Sequence, residues 1–257
     1  MSSVSGDLRT IGALIRRGLN EILRVPGGAI PGILAPTIFM LGLAAVFGRA
    51  AALPHFGGSD FRTFIVPVGM LQGAGFTGAA TGVNLARDIE RGWFDRLMLA
   101  PSPRPVLLAG VVGSACVRCL LPATFLLIVA FALGVDWPGV GALALAALLV
   151  MGLAAAAACY ATVLALRFRT QQAAPLMQVG AFVSIFLTTA YAPRELLSSW
   201  LQTVSDVNPV THVLEGVRQG FVGDVTWAGT WPALLSIGGL LAVFGTLAVR
   251  GMRRQGY

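Results

Sequence analysis

Between residues 139 and 166 the chain carries no charged side chain, and this alanine-rich run is longer than the ~20 apolar residues that a lipid bilayer requires. It is therefore expected to span a membrane as a helix. Five further apolar runs have the same reading, at residues 29–48, 63–86, 106–133, 173–190 and 231–249. Together they predict an all-α, polytopic membrane protein of six transmembrane helices, folded as a single domain. Composition agrees, since 56% hydrophobic residues, 11% charged residues and a mean hydropathy of +0.79 exclude a soluble domain.

The spans carry features of their own. Residues 29–48 include Pro31 and Pro36 in their first half. Residues 63–86 pair Gly69 with Gly73 and Gly78 with Gly82, a four-residue spacing that lets helices approach closely. Thr77, Thr81 and Asn84 share a face there, suited to hydrogen bonds between helices or to a substrate path. The overlong run 106–133 contains Pro122 and Arg118. An arginine so near the middle of a span costs roughly 2.5 kcal/mol or more unless it faces protein or water, so Arg118 is expected to have a partner. Cys116, Cys119 and Cys159 all lie in apolar runs, and the C-V-R-C spacing reads as packing, not redox chemistry.

All the positive charge is arginine: eighteen residues and no lysine, against 11 acids, for a net +7. Thirteen of these arginines fall in the N-terminal segment, residues 87–104, residues 167–169 and the C-terminal tail. Four, Arg49, Arg62, Arg194 and Arg218, fall in the alternate loops. The positive-inside rule then places both termini and the 87–105 segment in the cytoplasm, with the chain in the cell membrane. Membrane-proximal arginines of this kind do not indicate nucleic-acid binding. Residues 7–25 are amphipathic, with Leu8, Ile11, Ile15, Leu19 and Ile22 opposite Arg9, Arg16, Arg17, Asn20 and Arg24. This predicts an interfacial helix, held to an anionic leaflet by about 1 kcal/mol per arginine. The alanines at 50–52 resemble a signal-peptidase site, but the region before them is too long and amphipathic for a signal peptide.

Two regions outside the spans are rich in motif. Residues 87–105 read R-D-I-E-R-G-W-F-D-R-L-M-L-A-P-S-P-R-P, the densest charged stretch in the chain. If the segment is helical, Ile89, Trp93 and Leu97 form an apolar stripe suited to docking on a partner protein; a solvated loop is the alternative. Residues 193–224 contain two apolar faces, Leu196, Leu197, Trp200, Leu201 and Val204, then Val210, Val213, Leu214, Val217 and Phe221. Asn208-Pro209 between them is a cap and first-turn pair, so two short external helices are expected, dipping into the outer leaflet or covering an exit. His212 with Glu215 and Arg218 reads as a polar face of the second.

Chemistry is missing from the sequence. There is no G-x-x-x-x-G-K-[ST] phosphate loop and no loop long enough for a nucleotide-binding domain, so the chain is not expected to hydrolyse ATP. No residues have the spacing of a metal site or a nucleophilic triad, so no catalytic, metal or cofactor-binding residue is assigned.

The sequence G-W-F-D-R-L at 92–97, followed by Pro101, resembles the cytoplasmic signature of type-2 ABC exporter permeases, daunorubicin-resistance-like members in particular. The stretch A-P-R-E-L-L-S-S-W-L and then V-N-P-V-T-H-V-L-E-G-V-R resembles the same family's pattern before the last span, where Pro193, Trp200, Asn208, Pro209, Glu215 and Arg218 fall on it. Ser198 stands where many relatives have proline. The resemblance implies that 87–105 is a coupling helix resting in a groove on a separate ATPase subunit. Asp88, Glu90, Arg91, Gly92, Trp93, Phe94, Asp95, Arg96, Leu97 and Pro101 would be the coupling residues. It further implies two ATPase copies that hold ATP and Mg, and a second permease copy or homologue. The sparse polar and aromatic lining of the spans favours export of a hydrophobic or amphiphilic compound, drug-like or lipid. A glycan or glycolipid cargo is an alternative, as is a non-transporting membrane scaffold or immunity protein that binds an ATPase.

Overall fold

The computed structural model describes residues 2–24, 26–48, 60–100 and 102–254, and among them it is helical with no strand. In order, the helices are α1 (Ser2–Arg24), α2 (Pro26–Phe47), α3 (Phe61–Glu90), α4 (Trp93–Met98), α5 (Arg104–Arg118), α6 (Leu120–Ala132), α7 (Val140–Phe168), α8 (Ala174–Phe186), α9 (Ser199–Val207), α10 (Pro209–Val222) and α11 (Trp227–Arg254). Arg49, the alanines at 50–52, His55 and Pro101 lie outside the described residues, as do the side chains of Ile22, Arg24 and Pro31.

α3 is the axis of the bundle, buried along its length from Phe61 to Ile89 and packed against α2, α6, α7, α8 and α10. Glycines make this possible. A methyl group on Gly78 or Gly82 would come within 2.8 or 2.7 Å of the α7 backbone at Ala158 and Ala161. On Gly69 it would strike Leu126 of α6, and on Gly73 it would crowd Pro122. The small-residue pairs thus set the spacing of α3 from two neighbours at once, since close backbone approach is what drives association where lipid replaces water. Thr81 hydroxyl donates to the Thr77 carbonyl of its own helix, whereas Asn84 reaches across to Glu21 of α1 at 3.2 Å, so only Asn84 of that stripe bonds between helices.

Among the described residues three helical stretches are long and apolar enough to cross a membrane, Arg104–Ala132, Val140–Phe168 and Trp227–Arg254, and Gly32–Phe47 forms a shorter apolar helix. α3 has the length, at 30 residues, but its glycines, threonines and Gln72 suit a helix that faces protein more than lipid. The 173–190 run differs from expectation. Its helix, α8, has 13 residues, about 20 Å at ~1.5 Å per residue, against a hydrocarbon core of ~30 Å. Asn208 ends it: the side-chain amide donates to the carbonyls of Ser184 and Leu187 at 2.7 and 2.9 Å, while its oxygen accepts from Val210 N and caps α10. One residue therefore closes one helix and opens another. The 106–133 run is likewise broken, at Cys119, because Pro122 has no N–H for the Arg118 carbonyl four residues back.

α1 begins five residues earlier than residues 7–25 suggest, and it does more than lie on a surface. Its apolar side packs along α5, where a Cβ on Gly110 would meet Leu14 at 2.6 Å and one on Gly113 would meet Ile15 at 3.0 Å. The core has two parts. One, remote from α4, gathers Phe64, Leu71, Leu126, Leu149 and Leu214. The other, beneath α4, gathers Leu85, Ile89, Phe94, Leu107, Met177 and Met252.

Candidate functional site at the α4 end

Gly92 makes the site. α3 stops at Glu90, and Gly92 adopts φ +68°, ψ 9°, a left-handed conformation that turns the chain before the six residues of α4. That turn breaks the helical register assumed for Ile89, Trp93 and Leu97. Ile89 remains buried, but the residues that α4 sends inward are Phe94 and Met98, one turn apart. Phe94 is 0% exposed, packed in the core with Ile89, Leu107 and Met177. Of the coupling residues that the resemblance names, Phe94 has its ring in this chain's interior.

Trp93 is half-buried beneath α1. The Arg17 guanidinium lies 3.5 Å from its ring centroid and also grips Asp88 through two hydrogen bonds of 2.8 and 2.7 Å. A planar, always charged fork suits both contacts at once. Glu21, one turn on from Arg17, lies 3.7 Å from Arg87 and accepts from Asn84. α1, α3 and α4 are in this way one clamp. On the other flank Glu90 accepts hydrogen bonds from Gln171, by side chain and backbone, and from Thr170 hydroxyl, and these hold its carboxyl below the usual carboxylate range. Arg87 Nε donates to Gln171 Oε1 at 3.0 Å, and Arg104 donates to the Met98 carbonyl at 2.9 Å, closing the end of α4.

What remains exposed is a small face: Arg91, Asp95, Arg96 and Leu99, the last 86% exposed. Asp95 reaches Arg169 only at 3.6 Å, a solvated pair. Leu97 is half-buried against the core. The structure thus brings Asp88, Glu90, Arg91, Gly92, Trp93, Phe94, Asp95, Arg96 and Leu97 together, but divides them into anchors and an outward face. Arg17, Glu21, Gln171 and Leu99 were not found by sequence reasoning. The first three act across long separations, and Leu99 sits in an apolar-looking run with nothing local to mark it.

Arg118 faces inward beneath the clamp. It shares a cavity of about 40 Å³ with Glu21, Asn84, Asp88 and Ser114, polar and large enough for water. Its Nε is buried without a hydrogen-bond partner among the described residues, so the partner expected for Arg118 is not a protein group bonded to that atom.

At the opposite end, Arg218 is 6% exposed, not part of an external polar face. It donates to Glu215 at 2.8 Å and to the carbonyls of Thr189 and Ala190 at 3.0 and 3.3 Å, with its guanidinium 3.9 Å from the Phe64 ring centroid. His212 is exposed and Glu215 partly so. Val213, Leu214 and Val217 turn α10 into the bundle, whereas Trp200 of α9 is exposed. Pro193 precedes a short 3-10 turn, Arg194–Leu196, and Pro209 occupies the first turn of α10.

Comparison with known proteins decides the family. The model of the ABC-2 type transporter family matches residues 9–222, well over half the chain. The chain belongs to that family. Among its similar ABC-2 relatives is the daunorubicin resistance ABC transporter permease protein DrrB1 of Streptomyces coeruleorubidus, 25% identical over 247 residues, covering 93% of this chain and 84% of the relative. The putative transport permease ycf38 of Cyanophora paradoxa is 26% identical over 208 residues, covering 80% and 71%. The probable multidrug ABC transporter permease YbhR of Escherichia coli K12 is 27% identical over 212 residues, covering 76% and 54%. The matched region includes the clamp and helices α9 and α10, and the ABC-2 chain is a membrane transport subunit.

Proposed function

We propose that this permease is the membrane-spanning half of an ATP-driven exporter, in which a separate ATPase subunit holds ATP and Mg and docks on α4. One observation carries the reading: α4 is too tightly anchored to move alone, yet presents Arg91, Asp95, Arg96 and Leu99 outward. Force applied to that face is transmitted through Phe94 to α3 and through Trp93 and Arg17 to α1. In this reading the chain crosses the cell membrane six times, the fifth time through α8 together with the residues on either side of it, with both termini in the cytoplasm, pairs with a second permease copy and two ATPases, and exports a hydrophobic or amphiphilic compound. The drug-resistance and multidrug names of its relatives support that cargo class.

The test uses the permease co-expressed with its ATPase. Arg96→Glu with Leu99→Asp is expected to lower co-purification of the ATPase or to separate its hydrolysis from transport by at least tenfold, while Asp224→Asn at the far end leaves both unchanged. Wild-type binding and transport in the double variant would reduce α4 to a connecting loop. Binding of the ATPase without any hydrolysis-dependent transport would favour a non-transporting scaffold. Orientation is checked separately. In a variant lacking Cys116, Cys119 and Cys159, single cysteines from Ser102→Cys and Ser199→Cys should label from opposite sides of sealed cells, with Ser199→Cys reacting from outside.

A further inference from the structure

A groove of about 520 Å³ runs along the outside of the bundle between α5, α7 and α11, away from the clamp and from α10. Its walls are apolar and partly small, including Val112, Cys159, Leu241 and Gly245, and Arg250 and Arg253 line one end. Among the described residues neither arginine has an ion pair or hydrogen bond, and no acid follows Asp224 in the sequence to supply one from α11. This contrasts with Arg17, Arg87 and Arg169, each of which meets a carboxylate.

We infer that this groove binds one anionic glycerophospholipid, with an acyl chain against Leu241 and Gly245 and the phosphate at Arg250 and Arg253. The dimensions fit a single leaflet. From Leu241 to Arg253 is twelve helical residues, about 18 Å at ~1.5 Å per residue, close to half of a hydrocarbon core of ~30 Å. An apolar groove about one leaflet long with two arginines at its end matches a lipid. The charge agrees as well, because basic pockets between helices on the cytoplasmic side select anionic headgroups. Pro105 in the first turn of α5 lies at the same end, so the positive end of that helix adds to the arginines. Gly245 keeps the groove open: a Cβ there would have only Cys159 Sγ nearby, at 4.0 Å.

The inner-leaflet assignment rests on the orientation proposed above, but the site itself does not require the ATPase, so the two readings fail separately. The experiment is native mass spectrometry of the permease released from nanodiscs of phosphatidylglycerol mixed with phosphatidylcholine. Wild type should retain phosphatidylglycerol several-fold over phosphatidylcholine. Arg250→Gln with Arg253→Gln, both exposed positions, should abolish that preference while a lipid adduct persists. Gly245→Leu should lower retention of both lipids by filling the channel. Equal retention by wild type, an unchanged preference in the arginine variant, or undiminished adducts in Gly245→Leu would each overturn the site.

Discussion

Replacing Phe94 with alanine is expected to cost about 3–5 kcal/mol, the usual range for a wholly buried phenylalanine that leaves a cavity. The ring is 0% exposed and packs among Ile89, Leu107 and Met177, so no solvent or lipid can fill the space without moving α4. Because the loss falls on a helix of six residues with few other inward contacts, α4 should detach locally before the bundle unfolds. Thermal unfolding in detergent should show a lowered midpoint, and limited proteolysis should cut near residues 98–104. Leu99→Ala, one residue beyond the same helix and 86% exposed, should change stability by no more than ~0.5 kcal/mol. A Phe94→Ala protein as stable and as protease-resistant as wild type would mean that α4 is not held by its aromatic anchor.

The contrast between those two residues shows what the sequence could and could not say. Span-length apolar runs and the amphipathic N-terminal segment are written in local periodicity, which is why they are legible. So is the Asn208-Pro209 junction, because capping chemistry is confined to a few adjacent residues. Which aromatic faces in and which faces out is not local information. A single left-handed residue, Gly92, rotates everything after it relative to α3, and a helical wheel drawn through it puts Trp93 and Leu97 in line with Ile89, whereas α4 buries Phe94 and Met98. Arg17 and Asp88 are 71 positions apart, and nothing in either neighbourhood announces the pairing. The short α8 was hidden for a similar reason, since the residue that ends it, Asn208, comes more than twenty positions later.

The two ends of the bundle use arginine differently, and the difference has consequences for coupling. Arg17 is partly exposed, bridging α1, α3 and α4, so its contacts can exchange with water and re-form as the clamp flexes. Arg218 is buried, and its terminal nitrogens hold Glu215 and two backbone carbonyls while Nε has no hydrogen-bond partner among the described residues. A movement begun at α4 would pass along α3, whose glycines already place it against α6 and α7, and reach Phe64 directly beneath the Arg218 guanidinium. The far end is thus built to resist deformation while the α4 end is built to accept it.

That resistance can be measured at Arg218. Arg218→Met keeps much of the side-chain volume but removes three interactions: the ion pair with Glu215, the hydrogen bonds to the Thr189 and Ala190 carbonyls, and the stacking on Phe64. Each unsatisfied buried carbonyl costs about 1–3 kcal/mol, and a desolvated cation–π contact contributes ~2 kcal/mol. Breaking one member of a buried pair typically costs 3–5 kcal/mol, and the lower part of that range is expected here because the Glu215 side chain is 46% exposed and can be hydrated once unpaired. Thr189 hydroxyl also donates to Glu215, so the carboxylate is not left wholly without partners. Adding Glu215→Gln should therefore recover only a small part of the loss, and a double-mutant cycle would place most of the energy in the backbone carbonyls and Phe64. If Arg218→Met unfolds within ~0.5 kcal/mol of wild type, α10 is held by its apolar face alone, and the far end has no rigid pin for α3 to act against.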